Sequence, residues 1–281
     1  MMIKKLMAAA SCVAALLLPI QAQACTLFAA QGEVVQGGGS LIAKVRDYRP
    51  DYQKLRLKTN GQYPFYGLYA GKNPDKLSIR AGLNAKGLVA VVAMASCIPK
   101  AQRQTMLRKP CLERVLQNCA SVDEALVHTE FFYGPRFVML ADKEKIACVE
   151  VGDGGALSIR KETNTYLSHT NYYKAFQFSD LNIHVKDSPR VRAERIEELL
   201  EAGPTPFTKE QFISFTQDQD AGPDNSIWRV GSTEKISQSL AAWVVDIRPD
   251  GDFSLWLKYR PEPEERGKEK ILELKREDIF H

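Results

Sequence analysis

The sequence has little net charge, no internal repeat and no low-complexity segment. Its 281 residues include 38 Lys and Arg against 34 Asp and Glu, a formal net charge of +4. Clustered basicity of the kind that binds nucleic acid is absent, so we expect no nucleic-acid partner. The absence of repeats and of biased segments excludes a solenoid and a disordered chain. With 44% apolar and 26% charged residues, the composition is that of an ordinary globular protein.

The chain has one long apolar run, at its N-terminus. Two lysines precede the apolar residues 6–20, and Ala22-Gln23-Ala24 follows them. The run of 15 residues is shorter than the roughly 20 that cross a bilayer, and signal peptidase cleaves after a small-x-small pattern of this kind. We therefore predict that residues 1–24 are a secretory signal peptide and that the mature protein is periplasmic or secreted, without stable membrane insertion.

Cleavage after Ala24 would make Cys25 the first residue, so that one residue carries both a thiol and a free α-amine. An α-amine has a pKa of about 7.7–8.0 and a thiol one of about 8.5, so part of the amine is unprotonated near neutral pH. The amine can accept the thiol proton and later protonate a leaving amine, as in enzymes with an N-terminal threonine. Cys25 is therefore the candidate nucleophile, with its own amine as the base.

The other cysteines are few and are not spaced as metal ligands. Cys12 leaves with the leader, and the mature chain keeps an odd number, five. In an oxidising compartment four can pair and leave Cys25 free. A zinc site is the alternative, but the chain has no CxxC motif and no paired histidines. We expect two disulfides, with three pairings open, among Cys97, Cys111, Cys119 and Cys148.

Apolar runs and turn residues predict alternating groups of strands and helices. Strands are expected at 26–30, 40–45, 76–83, 88–95, 137–141, 146–151, 156–160, 166–170, 240–245 and 253–259, the four from 137 to 170 as one meander. Helices are expected at 111–118, 122–131, 190–200 and 208–217, with an N-cap at Ser121. The Tyr-rich segment 47–74 is expected to be an irregular surface excursion. No Pro-, Gly- or Ser-rich linker divides residues 25–281, so we predict a single layered α+β domain.

Polar residues at the ends of these elements are candidates for the rest of a site. Asp47 ends a strand that can pair with the strand of Cys25, where its carboxylate would accept a hydrogen bond from the α-amine; a solvated aspartate is the equal alternative. Asn84 and Asn171 also end strands. A neutral amide can donate to an oxyanion, but a single asparagine is more often a turn residue.

Two further candidates lie near Asn171. Arg190 and Arg192 begin a predicted helix and could orient a carboxylate, or they could lie on a solvated helix face. His169 beside Asn171 permits a Cys/His dyad, whereas a lone histidine on a strand is more often structural.

A series of short motifs recurs in one known group of enzymes. They are Cys25-Thr26, Lys44-Val45-Arg46-Asp47, Gly82-Leu83-Asn84 with Lys86-Gly87-Leu88, Thr170-Asn171 and the helix at Arg190. In this order and spacing they resemble the N-terminal nucleophile hydrolases, in particular the linear-amide hydrolases related to choloylglycine hydrolase, penicillin V acylase and isopenicillin N acyltransferase. The resemblance spans nearly the whole mature chain. It implies a four-layer αββα sandwich, a nucleophile at the start of a central strand, and no cofactor.

The resemblance also implies roles for individual residues. Cys25 matches the nucleophile, Asp47 the carboxylate that binds its amine, and Asn84 and Asn171 the asparagines of the oxyanion site. The helix-start arginine of the family falls on Arg190, and a slip of two residues would exchange it for Arg192. The sequence departs from the family pattern at Lys44, where an arginine is usual, which keeps the charge but loses the planar fork.

These observations predict a cysteine amidohydrolase that cleaves a linear amide through a Cys25 thioester, with acyl transfer if an amine outcompetes water. The expected partner is a small-molecule acyl amide, and a homo-oligomer is compatible with the sequence. The resemblance admits bile-acid conjugates, penicillin V, acyl-homoserine lactones and acylated amino acids or peptides as substrates. The alternative is a noncatalytic lipid-anchored binding protein, acylated on Cys25, with the tyrosine-rich segment as its ligand surface.

Overall fold

Two antiparallel sheets make up the centre of the protein. The computed structural model describes residues 24–107, 109–234 and 236–281. The predicted signal peptide, apart from Ala24, lies outside these residues. The first sheet has six strands, in the order β10 (Tyr166–His169), β1 (Ala24–Gln31), β2 (Ser40–Tyr48), β11 (Gln238–Ile247), β12 (Phe253–Tyr259) and β13 (Lys270–Lys275).

The second sheet is a meander of seven strands in chain order. It runs β3 (Tyr52–Lys58), β4 (Phe65–Gly71), β5 (Ser78–Asn84), β6 (Val89–Met94), β7 (Arg136–Ala141), β8 (Ile146–Val151) and β9 (Leu157–Glu162). The helices are α1 (Lys100–Thr105), α2 (Leu112–Asn118), α3 (Val122–Val127), α4 (Asp187–Ala202), α5 (Lys209–Thr216), α6 (Gly222–Asn225) and α7 (Arg276–Ile279). Helices α4 and α5 pack on the outer face of the first sheet, and α2 packs on that of the second.

The predicted αββα order of layers is confirmed by the way strand β1 is buried. Side chains alternate between the two faces of a strand. In β1, Leu27 and Ala29 pack into the core between the sheets, whereas Phe28 and Ala30 pack into the core under α4 and α5. Because both faces are covered, every residue of β1 is buried, and its sequence is a continuous apolar run rather than an alternating one.

The turn and cap residues behave as their chemistry predicts at most positions. The β5–β6 hairpin closes through a turn that ends at Gly87, whose φ of +85° favours glycine. The side chain of Ser121 accepts the backbone N–H of Glu124 and caps α3. Helix α4 begins at Asp187, three residues before its predicted start at Arg190.

Three predictions about the fold are wrong. The segment 47–74 is not an irregular excursion, since it contains β3 and β4, which pair along their full length. Strand β10 does not extend the meander, because it pairs with β1 in the other sheet. The expected disulfides are not formed: in the described part of the chain Cys97, Cys111, Cys119 and Cys148 are buried free thiols, as is Cys25.

Candidate active site

The pairing of β1 with β2 places the predicted nucleophile and the predicted carboxylate at one end of the first sheet. Cys25 lies opposite Arg46, and Ala24 lies opposite Asp47. At this end β2 is paired on both sides, with β1 and with β11, whereas β1 pairs with β10 only from Leu27 onward. The carboxylate predicted to bind the amine of Cys25 is therefore one residue out of register with it, opposite the residue that precedes the nucleophile.

A buried lysine contacts the thiol of Cys25. The Nζ atom of Lys44 lies 3.6 Å from the Sγ atom of Cys25 and also donates a hydrogen bond to the carbonyl of Val92 on the facing sheet. Burial lowers the pKa of Lys44, and the neighbouring Cys25 opposes that shift. A cation at this distance stabilises a thiolate, which is the nucleophilic form.

Asp47 is fully buried and has one unpaired oxygen. Its Oδ1 atom accepts a hydrogen bond of 2.7 Å from Ser239, whereas its Oδ2 atom has no hydrogen-bond partner among the described residues. The Nε atom of Arg192 and the Nη1 atom of Arg229 each lie 4.0 Å from Oδ2. Burial raises the pKa of Asp47, and the two guanidinium groups oppose the shift. The carboxylate thus keeps an acceptor position open at the end of β1.

Asn171 and Arg192 hold the backbone of Cys25. The Oδ1 atom of Asn171 accepts hydrogen bonds from the Cys25 N–H at 2.7 Å and from Arg192 Nη2 at 3.1 Å. Its Nδ2 atom donates to the Met94 carbonyl at 2.8 Å. Arg192 Nη1 donates to the Cys25 carbonyl at 2.6 Å and to Thr26 Oγ1 at 2.8 Å. The structure therefore places Asn171 beside Cys25.

The helix-start arginine of the site is Arg192, and the assignment to Arg190 is corrected. Arg190 lies on the exposed face of α4, whereas Arg192 is fully buried. The buried positions of α4 are Pro189, Arg192, Ala193, Ile196 and Leu200. These positions have the spacing of one helix face. Arg192 shares this face with the apolar residues, and this signal in the sequence separates it from Arg190.

The prediction that Asn84 belongs to the oxyanion site is wrong. Its Nδ2 atom donates to the carbonyls of Leu116 and Cys119 at 2.9 and 2.7 Å. Its Oδ1 atom accepts the N–H groups of Lys86 and Leu88 at 3.0 and 3.1 Å. The Nδ2 contacts join the β5–β6 turn to the end of α2, and the Oδ1 contacts lie within the turn itself. Asn84 is a structural turn residue.

The structure places His169 away from a Cys/His dyad. Its Nε2 atom lies 2.9 Å from Glu150 Oε1, and its Nδ1 atom lies 3.1 Å from the Thr170 carbonyl. Glu150 also accepts hydrogen bonds from the backbone N–H groups of Lys174 and Ala175. The pair therefore anchors the segment that follows Asn171, which agrees with the structural alternative.

Arg229, Ser239 and Arg80 are site residues that the sequence did not reveal. Arg229 and Ser239 reach Asp47 only because β11 pairs with β2, and Arg80 lies on the opposite sheet. None of the three belongs to a local motif. No signal in a single sequence identifies them.

A cavity of about 420 Å³ opens beside Cys25. Strands of both sheets line it, together with the segments before α2 and β7. This volume is in the range of small-molecule sites.

Among the described residues no group of three or more His, Cys, Asp or Glu side chains is arranged to hold a metal ion. No helix of this part of the chain combines the length and apolarity needed to span a bilayer.

A sequence model of the family described as acyl-coenzyme A:6-aminopenicillanic acid acyl-transferase matches residues 34–251, well over half of the chain. The protein belongs to this acyl-transferase family. The match begins after Cys25, so the assignment of the nucleophile in this family member depends on the geometry above. No curated protein sequence matches the chain.

Solved structures show which fold this acyl-transferase family member adopts. A mutant conjugated bile acid hydrolase from Clostridium perfringens superposes with a TM-score of 0.51 and 14% identity, covering 89% of this chain and 92% of that one. Penicillin V acylase from Agrobacterium tumefaciens gives a TM-score of 0.50 and 17% identity, covering 89% and 86%. The fold is therefore that of the N-terminal nucleophile hydrolases, and the predicted resemblance is confirmed. The family and the fold together indicate an amidohydrolase or acyltransferase.

Proposed function

We propose that the mature protein is a cysteine amidohydrolase that begins at Cys25 and cleaves linear amides through a thioester, with residues 25–281 as one catalytic domain. The observation that carries this proposal is the unpaired Oδ2 atom of Asp47, opposite Ala24. Once Ala24 is removed, the Cys25 nitrogen becomes an amine with additional N–H donors. Asp47 offers a buried carboxylate oxygen at the position where that new amine needs an acceptor.

The reaction follows from the groups around the thiol. The α-amine takes the Sγ proton, and the thiolate, stabilised by Lys44, attacks the amide carbonyl carbon. Asn171 has a second N–H besides the one that it donates to Met94, and this N–H and the Lys44 ammonium are the nearby donors for the oxyanion. The C–N bond breaks as the α-ammonium protonates the leaving amine.

The second half of the reaction regenerates the enzyme. With the amine as base, water adds to the thioester, the C–S bond breaks, and the carboxylic acid leaves. If an amine takes the place of water, the product is a new amide, which would be acyl transfer. The structural neighbours act on a conjugated bile acid and on penicillin V, and these names support a linear amide as the substrate.

Processing and export complete the proposal. The apolar run before Ala22-Gln23-Ala24 supports cleavage by signal peptidase and a periplasmic or secreted enzyme. The lipid-anchored alternative is disfavoured by the burial of Cys25, which is 8% exposed with its thiol beside Lys44. A lipid attached to this thiol would have to displace that buried contact.

The test is an acyl-amide panel with mass-spectrometric trapping of the acyl group on the mature enzyme. We expect the acyl mass on Cys25, and nearly complete loss of turnover in Cys25→Ser and in a chain that retains Ala24. Cys148→Ser is the matched control, since it makes the same exchange at a buried thiol that does not line the cavity. Full turnover by Cys25→Ser or by the Ala24-retaining chain would refute the mechanism.

A further inference from the structure

We propose that Arg80 binds a carboxylate of the substrate, so that the enzyme prefers linear amides carrying a carboxylate next to an apolar acyl chain. This inference rests on the proposed amidohydrolase function and specifies its substrate class. It is independent of the nucleophile and the amine, because Arg80 lies on the second sheet and Cys25 on the first.

A bulge in β5 places Arg80 in the wall of the cavity. Leu68 of β4 pairs with Ala81, and the adjacent Tyr69 pairs with Ile79. Arg80 is therefore the extra residue of β5 between two regular pairs. A bulge of this kind interrupts the ladder and redirects the side chain, and bulges are frequent next to active sites. The side chain of Arg80 lines the same cavity as that of Cys25.

The guanidinium of Arg80 lacks an anionic partner. Its Nε atom is buried and has no hydrogen-bond partner in the part of the chain that the structure describes. Its Nη2 atom donates to the Ala70 carbonyl at 3.3 Å, and no carboxylate of the described residues forms an ion pair with the group. Burial lowers the pKa of Arg80 to about 10, with further lowering by Arg46, so the group remains a cation at neutral pH. A buried unpaired donor of this kind is costly unless a ligand satisfies it.

The neighbouring cations of the cavity already have partners. Arg46 forms a two-point ion pair with Asp51, with distances of 2.6 and 2.9 Å. Lys44 contacts the thiol of Cys25. Lys109 lies over the ring of Tyr133, with its Nζ atom 4.6 Å from the ring centre. A substrate carboxylate that enters the cavity would therefore meet unpaired N–H donors of the Arg80 guanidinium, with other cationic side chains nearby.

The rest of the cavity wall indicates what the carboxylate is attached to. Apolar side chains line it on both sides of Arg80, among them Leu77, Ile79, Val92 and Leu112. An apolar acyl chain can contact these side chains while a planar carboxylate meets the guanidinium in a two-point pair. The carboxylate can come from the amine part of the amide, as in an N-acyl amino acid, or from the far end of the acyl chain, as in a monoamide of a dicarboxylic acid.

The test compares each acid with its neutral counterpart on the mature enzyme. One pair is N-octanoylglycine and N-octanoylglycinamide, with the charge on the amine part. The other is the mono-N-methylamide of suberic acid and its methyl ester, with the charge on the acyl chain. We expect kcat/KM of wild type to favour the acid in one pair by roughly 10- to 100-fold, and the pair that shows the preference identifies the source of the carboxylate.

The variants assign the preference to Arg80. In Arg80→Gln we expect the ratio of kcat/KM, acid over neutral, to fall to about 1, and in Arg80→Lys we expect a partial preference. Arg190→Gln, at an exposed arginine of α4, is the matched control and keeps the wild-type ratio. If Arg80→Gln does not fold, Arg80→Met replaces it, because Met keeps the aliphatic volume without burying a polar group.

Two outcomes overturn the inference. One is a wild-type enzyme without preference for the acid in either pair, and the other is an Arg80 variant that keeps the full preference. If no amide is hydrolysed at all, the proposed function has failed, and calorimetric binding of N-octanoylglycine to the Cys25→Ala protein still tests Arg80. In that assay the double variant Cys25→Ala/Arg80→Gln must bind N-octanoylglycine roughly 10-fold or more weakly than Cys25→Ala alone. Equal affinity of the two proteins would overturn the inference.

Discussion

At the scale of single residues, two asparagines with similar sequence signals have opposite roles. Asn171 contacts the N–H of the nucleophile, whereas Asn84 bonds to four backbone groups around a turn. Asn84 ends β5 and Asn171 lies two residues after β10, so residue type and position alone did not separate them. The difference lies in partners distant in sequence, such as Leu116, which a single sequence does not reveal.

Replacement by alanine should therefore lower kcat at Asn171 and the free energy of unfolding at Asn84. Asn171→Ala is expected to lower kcat by roughly 10²–10³, as for loss of one oxyanion donor. Asn84→Ala leaves two buried carbonyls without donors and should cost about 2–4 kcal/mol of unfolding free energy, with kcat of the folded enzyme little changed. Urea unfolding and kcat measured on both variants check this. A strong loss of kcat in a fully folded Asn84→Ala variant would contradict a purely structural role and support Asn84 as an active-site residue.

The two arginines of α4 give a second residue-scale prediction. Arg192 is fully buried against Asp47 and the Cys25 carbonyl, and Arg192→Gln should destabilise the protein by about 3 kcal/mol because Asp47 loses a buried partner. Arg190→Gln, on the exposed face, should change the unfolding free energy by no more than about 0.5 kcal/mol. Thermal or urea unfolding distinguishes the two. Equal changes in unfolding free energy at both positions would contradict the orientation of α4, in which Arg192 is buried and Arg190 is exposed.

At the scale of secondary structure, Glu150 on β8 ties the second sheet to β10 of the first through His169. Although burial opposes ionisation of Glu150, the hydrogen bond and charge of His169 and two backbone N–H groups leave its pKa below the ordinary 4.5. A carboxyl whose pKa is lowered by folding contributes stability above its unfolded pKa, and that contribution is lost as pH falls through the folded pKa.

Glu150→Gln should reveal this contribution as a pH-dependent difference from wild type. We expect the variant to be less stable by roughly 1–3 kcal/mol at pH 6–7, and the difference to shrink below pH 4.5 as Glu150 becomes protonated in the wild type. Urea unfolding at several pH values measures it. A difference that stays constant from pH 7 to pH 3 would contradict the ionised Glu150–His169 contact.

The elements themselves were predictable where local chemistry determined them. The hairpin turn at Gly87, the cap at Ser121 and the continuous apolar run of β1 each follow from neighbouring residues. Strands β3 and β4 were not, because the Gly, Tyr and Lys residues of this segment are typical of loops and become strand only through the pairing of β3 with β4 and of β4 with β5. The sheet assignment of β10 likewise depends on its contact with β1, whose residues are more than 130 positions away.

At the scale of the whole molecule, the bond after Ala24 is enclosed by the fold. Ala24 is 2% exposed and pairs with Asp47 inside the first sheet. An external peptidase needs an extended, accessible segment, so cleavage after Ala24 should precede folding. We expect the Ala24–Cys25 bond of the folded full-length precursor to resist added signal peptidase, while the unfolded precursor is cleaved; mass spectrometry of the N-terminus measures both. Cleavage at equal rates would show that the end of β1 opens in solution.

The cysteines give a further prediction at this scale. Burial raises the pKa of Cys97, Cys111 and Cys119 to about 11 and that of Cys148 to about 12, so these thiols should react slowly with iodoacetamide at neutral pH. Cys25, beside Lys44 and at the cavity, should react first. Peptide mapping after partial alkylation identifies the site, and modification of Cys148 ahead of Cys25 would contradict the structure.

Because the described cysteines are free thiols in the structure, we expect the two sheets to stay packed together under reducing conditions. The mature chain, begun at Cys25, can be prepared in a reducing bacterial cytosol. A single fluorescent alkylating dye would then report, molecule by molecule, how much of such a preparation is competent enzyme.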